Sequence, residues 1–233
     1  RAFLGEAKAK YAMILDYEQN DQELQKKIQD ARATLKDLAA KISGLRKRTA
    51  KALKSTIERE LKDLGIEHVN FEVRFEAVDF TQDGGDRAVF FISPNAGEEL
   101  KPLSQIVSSG EAARIMLALK RALTDVDPIP VLVFDEIDAQ IGGRLGTITG
   151  SKLQELASGR QVILITHLPQ IAAFGQQHFK AVKKVVNKRT VTEVLNLSPD
   201  ERLDELAQMM DGQKKTSLSL EHARDMLKSA QRA

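Results

Sequence analysis

A regular spacing of apolar residues marks the first part of the chain. From Leu24 to Leu45 these residues alternate four and three positions apart, which is the a/d seam of a heptad repeat. Residues 1–64 contain no proline, so one long helix is predicted. Because so narrow a stripe needs a second helix to cover it, we expect a coiled-coil arm over 1–64; the alternative is a helix lying along its own domain. The seam comprises Leu24, Ile28, Ala31, Leu35, Leu38, Ile42 and Leu45.

Residues 65–233 have the mixed periodicity of an α/β fold. Alternation at period two predicts a strand over 69–75, and a returning strand over 88–92 follows a turn at 83–86. Two apolar runs, 131–134 and 162–165, are typical of strands buried on both faces of a parallel sheet. We expect a single C-terminal lobe over 65–233, ending in short helices within 199–233. The remaining predictions are helices over 111–123, 145–157, 201–210 and 218–227, and a hairpin over 181–186 and 190–195.

Composition narrows the class of protein without indicating a function. The chain has 233 residues, of which 42% are hydrophobic and 29% charged, as in globular or coiled proteins rather than disordered ones. Its 35 basic and 33 acidic residues give a net charge of +2, so a polyanion would have to be recognised by local clusters. The lack of cysteine excludes disulfides and thiolate metal sites. With no signal-like N-terminus and no apolar run of ~20 residues, a cytoplasmic location without a membrane partner is expected.

Small residues precede the helix predicted over 111–123. Ser108 and Glu111 have the spacing of a capping box, in which the serine oxygen accepts from a helix N–H and the glutamate accepts from the serine amide. Such a pattern usually marks an ordinary helix start. It also suits an anion, because the free N–H groups and the dipole of a helix N-terminus attract phosphate. Ser109 and Gly110 are small enough to allow a close approach.

Two acids follow the first apolar run. Asp135 and Glu136 would lie at the carboxyl edge of the sheet, where open α/β folds bind their ligands. Asp135 could hold Mg²⁺, and Glu136 could orient and deprotonate a water that attacks a γ-phosphate. Asp138 could cap the next turn or help to close a site. The alternative is that these acids simply enter a loop.

His167 follows the second apolar run. If the two strands are neighbours, it lies in the same layer as Asp135 and Glu136 and could donate to a γ-phosphate oxygen. Otherwise it is a polar loop residue. The three segments together, in this order, indicate a nucleotide site more strongly than any one of them does.

These segments resemble the C-terminal half of the RecN family, bacterial DNA repair proteins that are SMC-like members of the ABC ATPase superfamily. The resemblance runs from about residue 70 to the end, and it implies the C-terminal half of an ABC/SMC-type ATPase head, a P-loop NTPase-like α/β fold. One long helix precedes this half as the returning arm of an antiparallel coiled coil. The resemblance is carried by residues 103–114, Phe134-Asp135-Glu136-Ile137-Asp138-Ala139 and Thr166-His167-Leu168-Pro169-Gln170-Ile171-Ala172.

The resemblance also implies roles, cofactors and partners. The cofactors are ATP and Mg²⁺, and the partners are the N-terminal half of the same protein, a second head in a homodimer, and DNA. The implied function is ATP-dependent repair of DNA double-strand breaks by recombination, at the nucleoid of a bacterial cytoplasm. A signature loop that contacts the γ-phosphate bound by the opposite head would comprise Ser108, Ser109, Gly110 and Glu111. The other roles would be Walker B magnesium ligand for Asp135, catalytic base for Glu136, D-loop residue for Asp138 and switch histidine for His167.

Two features depart from the complete family pattern. The chain contains no Gly-x-x-x-x-Gly-Lys-Ser/Thr loop, and the resemblance places this Walker A loop in the N-terminal half. Residues 146–152 and 212–216 resemble such a loop only superficially. We therefore expect the isolated chain to hydrolyse ATP negligibly. Ser109 stands where the family usually has glycine, whose backbone is freer, and a Ser109→Gly variant is expected to be equally or more active.

Basic residues cluster on the long helix where it approaches the lobe. They lie between Asp37 and Glu58 with no acid among them. Such a cluster is either a solvated face or a surface for the phosphate backbone of duplex DNA. Two other functions remain open: an SMC-like ATPase that organises chromosomes, and a non-catalytic coiled-coil interaction protein. The candidate DNA-binding residues are Lys41, Arg46, Lys47, Arg48, Lys51 and Lys54, and a second cluster near the hairpin comprises Lys180, Lys183, Lys184, Lys188 and Arg189.

Overall fold

Helices and strands alternate along the computed structural model, which describes residues 2–95, 97–105, 108–186, 188–212 and 216–232. All the predicted helices and strands are present, with ends that differ by up to six residues. The turn predicted over 83–86 is shorter, because β1 continues to Thr81 and β2 begins at Gly84. Asn187, in the predicted hairpin turn, lies outside the described residues. The elements in chain order are α1 (Ala2–Asp63), β1 (Asn70–Thr81), β2 (Gly84–Ser93), β3 (Lys101–Pro102), a 3₁₀ turn (Leu103–Gln105), α2 (Ser109–Ala122), β4 (Val131–Phe134), α3 (Gly143–Leu156), β5 (Gln161–Leu164), α4 (Pro169–Ala172), β6 (Phe179–Val186), β7 (Arg189–Asn196), α5 (Pro199–Asp211) and α6 (Ser217–Arg232).

The chain divides into two compact units. The first contains residues 2–52 and Val73–Val89, and the second contains Leu53–Glu72 and residues 90–232. The strands of the described residues form three sheets: β1, β2 and β3 in that order, β4 with β5, and β6 with β7. The arm and lobe boundary expected at residues 64 and 65 stays a prediction.

In the first unit, the heptad seam of α1 is exposed along its whole length. Leu24 and Leu45, at its two ends, are 58% and 59% exposed. Full burial of one such side chain is favourable by about 1.5–3 kcal/mol. A helix laid on this stripe would therefore be stabilised.

Despite its length, α1 is too polar to cross a membrane, and the same holds for the other helices in the described part of the chain.

The turn between β1 and β2 is attached to α1 by Arg46. Its guanidinium donates from Nη2 to the Asp83 carbonyl at 2.7 Å and from Nη1 to the Asp86 carbonyl at 2.9 Å. It also pairs with the Asp86 carboxylate. A hydrogen bond from Ser43, and then the one from Arg46, lowers the pKa of Asp86. Arg46 therefore has a structural role in this unit.

In the second unit, the last turns of α1 are anchored by buried ions as well as apolar contacts. Glu60 accepts hydrogen bonds from Lys152 of α3 and from Arg121 of α2, each at 2.8 Å. Lys152 also pairs with Asp63 at 2.9 Å. Burial alone would raise the pKa of Glu60, but the hydrogen bond from Lys152 and the charge of Arg121 outweigh this and lower it. The buried apolar residues at this end are Ile57, Leu61 and Leu64.

The sheet of β4 and β5 is covered on one face only. The strands are parallel, and Phe134 lies opposite Leu164. Leu132 and Phe134 are buried, whereas Val133 and its neighbour Ile163, on the other face, are 63% and 45% exposed. The prediction of strands buried on both faces is therefore wrong for the described residues. A parallel sheet needs a layer on each face, and these residues supply one.

The C-terminal elements form a smaller core. Helices α5 and α6 pack around Leu206, Ala207 and Ala223. A capping box of Ser198 and Glu201 begins α5. The two strands that precede this helix in sequence, β6 and β7, pair antiparallel. This end of the lobe is built as the apolar periodicity indicated.

Candidate nucleotide site

The parallel pairing of β4 and β5 brings the two polar strand ends together. Phe134 and Leu164 are paired, and the Ile165 amide donates to the Phe134 carbonyl at 3.0 Å. The residues that follow, Glu136 and His167, therefore leave the same edge of the sheet. His167 was expected to lie in the same layer as Asp135 and Glu136 if the two strands were neighbours. Strands β4 and β5 are neighbours, so this condition is met.

Asp138 joins the two loops that leave these strands. Its side chain is almost fully buried. Oδ2 accepts from the Thr166 hydroxyl and from the His167 amide at 2.8 Å, and it lies 3.0 Å from His167 Nδ1. Because Nδ1 lies beside this carboxylate oxygen, Nε2 is the ring nitrogen left for another partner. The His167 side chain itself is 74% exposed. Asp138 thus accepts from the backbone of His167 and lies next to its accessible ring.

The loop after β4 contains strained backbone. Glu136 has φ +56° and Gln140 has φ +62°, in the left-handed region that side chains other than glycine seldom adopt. The Ala139 amide donates to the Glu136 carbonyl at 3.0 Å, which closes a tight turn. Strain of this kind costs about 1–3 kcal/mol per residue and persists where the surroundings hold it, often at functional sites.

Asp135 is exposed at the end of β4, and its Oδ1 accepts from the Glu136 amide at 2.9 Å. Among the described residues, no three His, Asp or Glu side chains lie close enough to form a metal site by themselves. Magnesium at phosphate sites is held by one or two carboxylates, with waters and phosphate oxygens as the other ligands. A single exposed carboxylate at a strand end fits that kind of site.

The capping box predicted at the start of α2 is wrong. Ser108 does occupy the N-cap position, with φ −78° and ψ 120°, but its side chain makes no cap hydrogen bond. Glu111 instead lies near Arg114: burial lowers the pKa of Arg114, and the charge of Glu111 opposes that shift. The first turn of α2 is therefore not capped by the Ser108 side chain.

Helix α2 packs directly on the loop after β4. A Cβ added to Gly110 would lie 2.8 Å from the Cβ of Ala139 and 3.3 Å from its carbonyl oxygen. Arg114, one turn further along, donates from Nη1 to the same carbonyl at 2.9 Å. Ser109 is helical and exposed, so serine meets no backbone strain at the position where the family usually has glycine. The structure thus brings the segment Ser108–Glu111 against the loop that carries Asp138.

The buried side of α2 includes a charged residue. Ile115, Leu117 and Leu119 are buried together with Arg114, whereas Met116 is 43% exposed. The helix is covered on the side that faces Ala139, which apolar periodicity could not indicate.

The superficial P-loop at 146–152 lies within α3, as predicted. Lys152, its lysine, is buried in ion pairs with Glu60 and Asp63. The ammonium group of Lys152 is thus engaged in ion pairs inside the fold. Of the other superficial match, residues 213–215 lie outside the described residues.

The candidate DNA-binding residues on α1 are not equivalent. Arg46 holds the turn of the first unit, and Lys41 forms an exposed pair with Asp37 at 2.7 Å. Lys54, in the second unit, donates to Asn70 at 2.8 Å and pairs with Glu58 at 3.3 Å. The three that are exposed and make no ion pair within the described ranges are Lys47, Arg48 and Lys51.

Two residues of the site were not assigned roles from the sequence. Thr166 was part of a recognised motif, and its hydroxyl contacts Asp138. Arg114 could have been noticed as a lone charge four residues after Gly110, on the same side of a helix. Neither signal says which atom the side chain contacts.

Several curated proteins are similar to this chain over most of its length. The DNA repair protein RecN of Halalkalibacterium halodurans is 35% identical over 219 residues, which cover 92% of this chain and 39% of the relative. The RecN of Deinococcus radiodurans is 36% identical over 226 residues, covering 97% and 40%. The chain thus spans about two fifths of the length of these relatives. No protein-family model matches it.

A solved structure shares the fold. The Smc head domain with a coiled coil and joint from Pyrococcus yayanosii is similar with a TM-score of 0.52 and 22% identity, over 72% of this chain and 31% of that chain. The order of elements and this shared fold define the C-terminal half of an SMC-type ATPase head, preceded by a long helix, as predicted. The chain belongs to the RecN family and corresponds to its C-terminal half.

Proposed function

We propose that this chain supplies the hydrolytic half of an ATP site in a RecN-family protein that repairs broken DNA. The proposal is carried by one observation: the pairing of β4 with β5 brings Glu136 and His167 to one sheet edge, and Asp138 connects their loops. Because the chain has no Walker A loop, the nucleotide phosphates are held by the N-terminal half of the same protein.

Each side chain at this edge has its own role. Asp135 binds Mg²⁺, which neutralises charge on the β- and γ-phosphates. Glu136 orients the attacking water and accepts its proton. His167 directs Nε2 to a γ-phosphate oxygen, since its other ring nitrogen, Nδ1, lies 3.0 Å from the Asp138 carboxylate. The imidazole thereby senses whether the γ-phosphate is present.

Ser108, Ser109, Gly110 and Glu111 act on a different nucleotide, the one held by the opposite head. The first turn of α2 offers amides that the Ser108 side chain does not satisfy, and the helix dipole attracts phosphate. Two heads pair with ATP between them as a homodimer, and hydrolysis separates them. This cycle controls how the protein holds DNA ends.

A Glu136→Gln variant of the complete protein tests the ATPase proposal. We expect turnover to fall by a factor of ~10² or more with nucleotide binding retained, because the general base is lost and the phosphate cradle is not. Glu221→Gln, which changes an exposed glutamate on α6, is the matched control and should turn over normally. The isolated chain should be inactive; turnover by it that Glu136→Gln abolishes would refute the half-site proposal.

The DNA surface of the proposal is the exposed part of the α1 cluster. Lys47, Arg48 and Lys51 lie within two turns of the helix, and contacts between lysine or arginine and phosphate do not depend on DNA sequence. Changing all three to Glu should weaken duplex binding and reduce the salt dependence of the affinity, by a slope of roughly 0.9 per lost phosphate contact.

The DNA test requires two precautions. Arg46 is left intact because its loss would free the β1–β2 turn and confuse the result. The control changes two exposed lysines elsewhere on the arm, Lys26 and Lys27, to Glu, which is one charge reversal fewer than in the triple variant. Equal affinities for the triple variant and the wild type at low salt would remove α1 from the DNA surface.

A further inference from the structure

Arg114 is a buried cation that none of the roles above explains. Only 6% of its surface is exposed, and Nη1 donates to the Ala139 carbonyl at 2.9 Å. Nε is buried without a hydrogen-bond partner among the described residues. Burying a charge costs free energy unless hydrogen bonds and an opposite charge compensate it fully. The charge of Glu111 lies nearby, but burial outweighs it and lowers the pKa of Arg114. Stability alone is therefore a poor reason for an arginine at this position.

The carbonyl that Arg114 holds belongs to the strained loop. Ala139 lies between Asp138, which contacts His167, and Gln140, whose φ is +62°. Glu136, at the start of the loop, also has a left-handed φ. Such a loop keeps its shape only when contacts on several sides hold it. Asp138 is held by Thr166 and His167, and Ala139 is held by Arg114.

Gly110, in the signature segment Ser108–Glu111, belongs to the same contact. A Cβ at this position would lie 3.4 Å from Nη1 of Arg114 as well as 2.8 Å from the Ala139 Cβ. The start of α2, the guanidinium and the Ala139 peptide therefore form one packed group. Because packed groups of this density move together, a shift of Gly110 is passed to Ala139.

We propose that Arg114 is a positioning residue for ATP hydrolysis, which fixes the loop 136–140 against the start of α2. When the opposite head's nucleotide binds at Ser108–Glu111, the same contact fixes the position of Glu136. Through Asp138 it also fixes the position of His167. The inference rests on the proposed ATPase function. It adds that each head's hydrolytic residues are aligned by the signature segment of that same head.

The chemistry of arginine suits this role. Its planar guanidinium approaches a carbonyl from a fixed direction, whereas the lysine ammonium is a flexible point donor. Arg114→Gln keeps an N–H donor but loses length and charge, and Arg114→Lys keeps the charge. Lysine should therefore restore part of the function that glutamine loses.

The experiment compares Arg114→Gln with Arg160→Gln in the complete protein. Arg160 is the control: its side chain is also buried, its Nε also lacks a partner in the described part of the chain, and Nη2 donates to the Thr124 carbonyl at 3.0 Å. It differs from Arg114 in pairing with the Asp127 carboxylate at 3.0 Å, so its loss should cost at least as much stability. It lies just before β5, at the opposite end from His167. Steady-state turnover, ATP affinity, melting temperature and amide hydrogen exchange are measured for both.

For Arg114→Gln we expect kcat to fall about tenfold or more while KM for ATP changes less than ~2-fold, because misplaced groups lose rate without losing binding. Amides of residues 136–141 should exchange faster in this variant and at the wild-type rate in Arg160→Gln. Both variants should lose thermal stability, and Arg160→Gln should keep the wild-type kcat.

Equal kcat values for the two variants, or faster exchange spread evenly over the protein, would overturn the positioning role. A complete wild-type protein without ATPase activity would instead refute the proposed function. In that case local exchange at 136–141 would still decide whether Arg114 holds the loop.

Discussion

At the scale of single residues, Gly110 leaves no room for a side chain. A Cβ there would approach the Ala139 Cβ to 2.8 Å, closer than packed carbons tolerate. We expect Gly110→Ala to reduce the free energy of unfolding by about 1–3 kcal/mol, as overpacking does. In the complete protein it should also lower ATP turnover, because relief of the clash displaces the loop that carries Asp138. Urea denaturation and an ATPase assay measure the two effects.

The control for this substitution is Gly159→Ala. Gly159 has open space around it and no left-handed φ, so alanine there should be tolerated. If Gly110→Ala proved as stable and as active as Gly159→Ala, the contact between α2 and the loop would be too loose to position anything.

Most of the candidate site was predictable at this scale. Asp135, Glu136 and His167 follow apolar strands, and a parallel sheet brings its carboxyl ends to one edge. The atoms to which Arg114 and Asp138 bind were not predictable, because periodicity reports which side of an element is buried and not what lies opposite. The failed capping box at Ser108 is a second case: the spacing to Glu111 was right, but the Ser108 side chain makes no cap hydrogen bond.

At the scale of elements, the buried ions around Glu60 connect α1 with α2 and α3. Glu60→Gln leaves Lys152 and Arg121 without their shared carboxylate. We expect the free energy of unfolding at pH 7 to fall by about 3 kcal/mol, since one partner of a buried pair has been removed. Urea denaturation of the chain measures it.

The effect of Glu60 should depend on pH in one direction. Because the fold lowers the pKa of Glu60 below its ordinary 4.5, the carboxylate stabilises the fold above that value. The contribution disappears as pH falls through the lowered pKa of the folded state. The difference between wild type and Glu60→Gln should therefore shrink on acidification from neutral pH. A constant difference would contradict this assignment. Glu155→Gln, which removes a half-exposed partner of Arg121, should cost at most ~1 kcal/mol.

At the scale of the whole molecule, two apolar surfaces are left exposed. The heptad seam of α1 and the outer face of β4 and β5 are both uncovered, and large apolar patches mark interaction surfaces or cause aggregation. We expect the isolated chain to self-associate as its concentration rises. Changing Val133 and Ile163 to Thr should reduce that association in sedimentation velocity.

Val126→Thr with Leu218→Thr is the control for that pair. Both residues are more than 70% exposed, at 75% and 73%, but lie far apart in sequence on a loop and on α6. Their replacement should leave association unchanged. A chain that stays monomeric at every concentration with Val133 and Ile163 intact would show that the sheet face is not adhesive.

The periodicity of the sequence indicated the order and type of the elements of this molecule, because each helix and strand carries its own apolar pattern. It also indicated that a stripe on α1 needs a partner. It could not show that one face of β4 would be bare, since a strand of four apolar residues has the same sequence whether one or two layers cover it.

The left-handed backbone at Glu136 has an evolutionary consequence. Glycine adopts such a conformation without strain, which removes about 1 kcal/mol of strain energy, and asparagine tolerates it. Neither residue can act as a base. Glu136→Gly should therefore melt at a higher temperature than the wild type while hydrolysing no ATP. In a lineage no longer selected for hydrolysis, residue 136 would tend to change to glycine or asparagine, because these residues give a more stable fold. The identity of residue 136 in a distant homologue would then record whether its ancestors still turned over nucleotide.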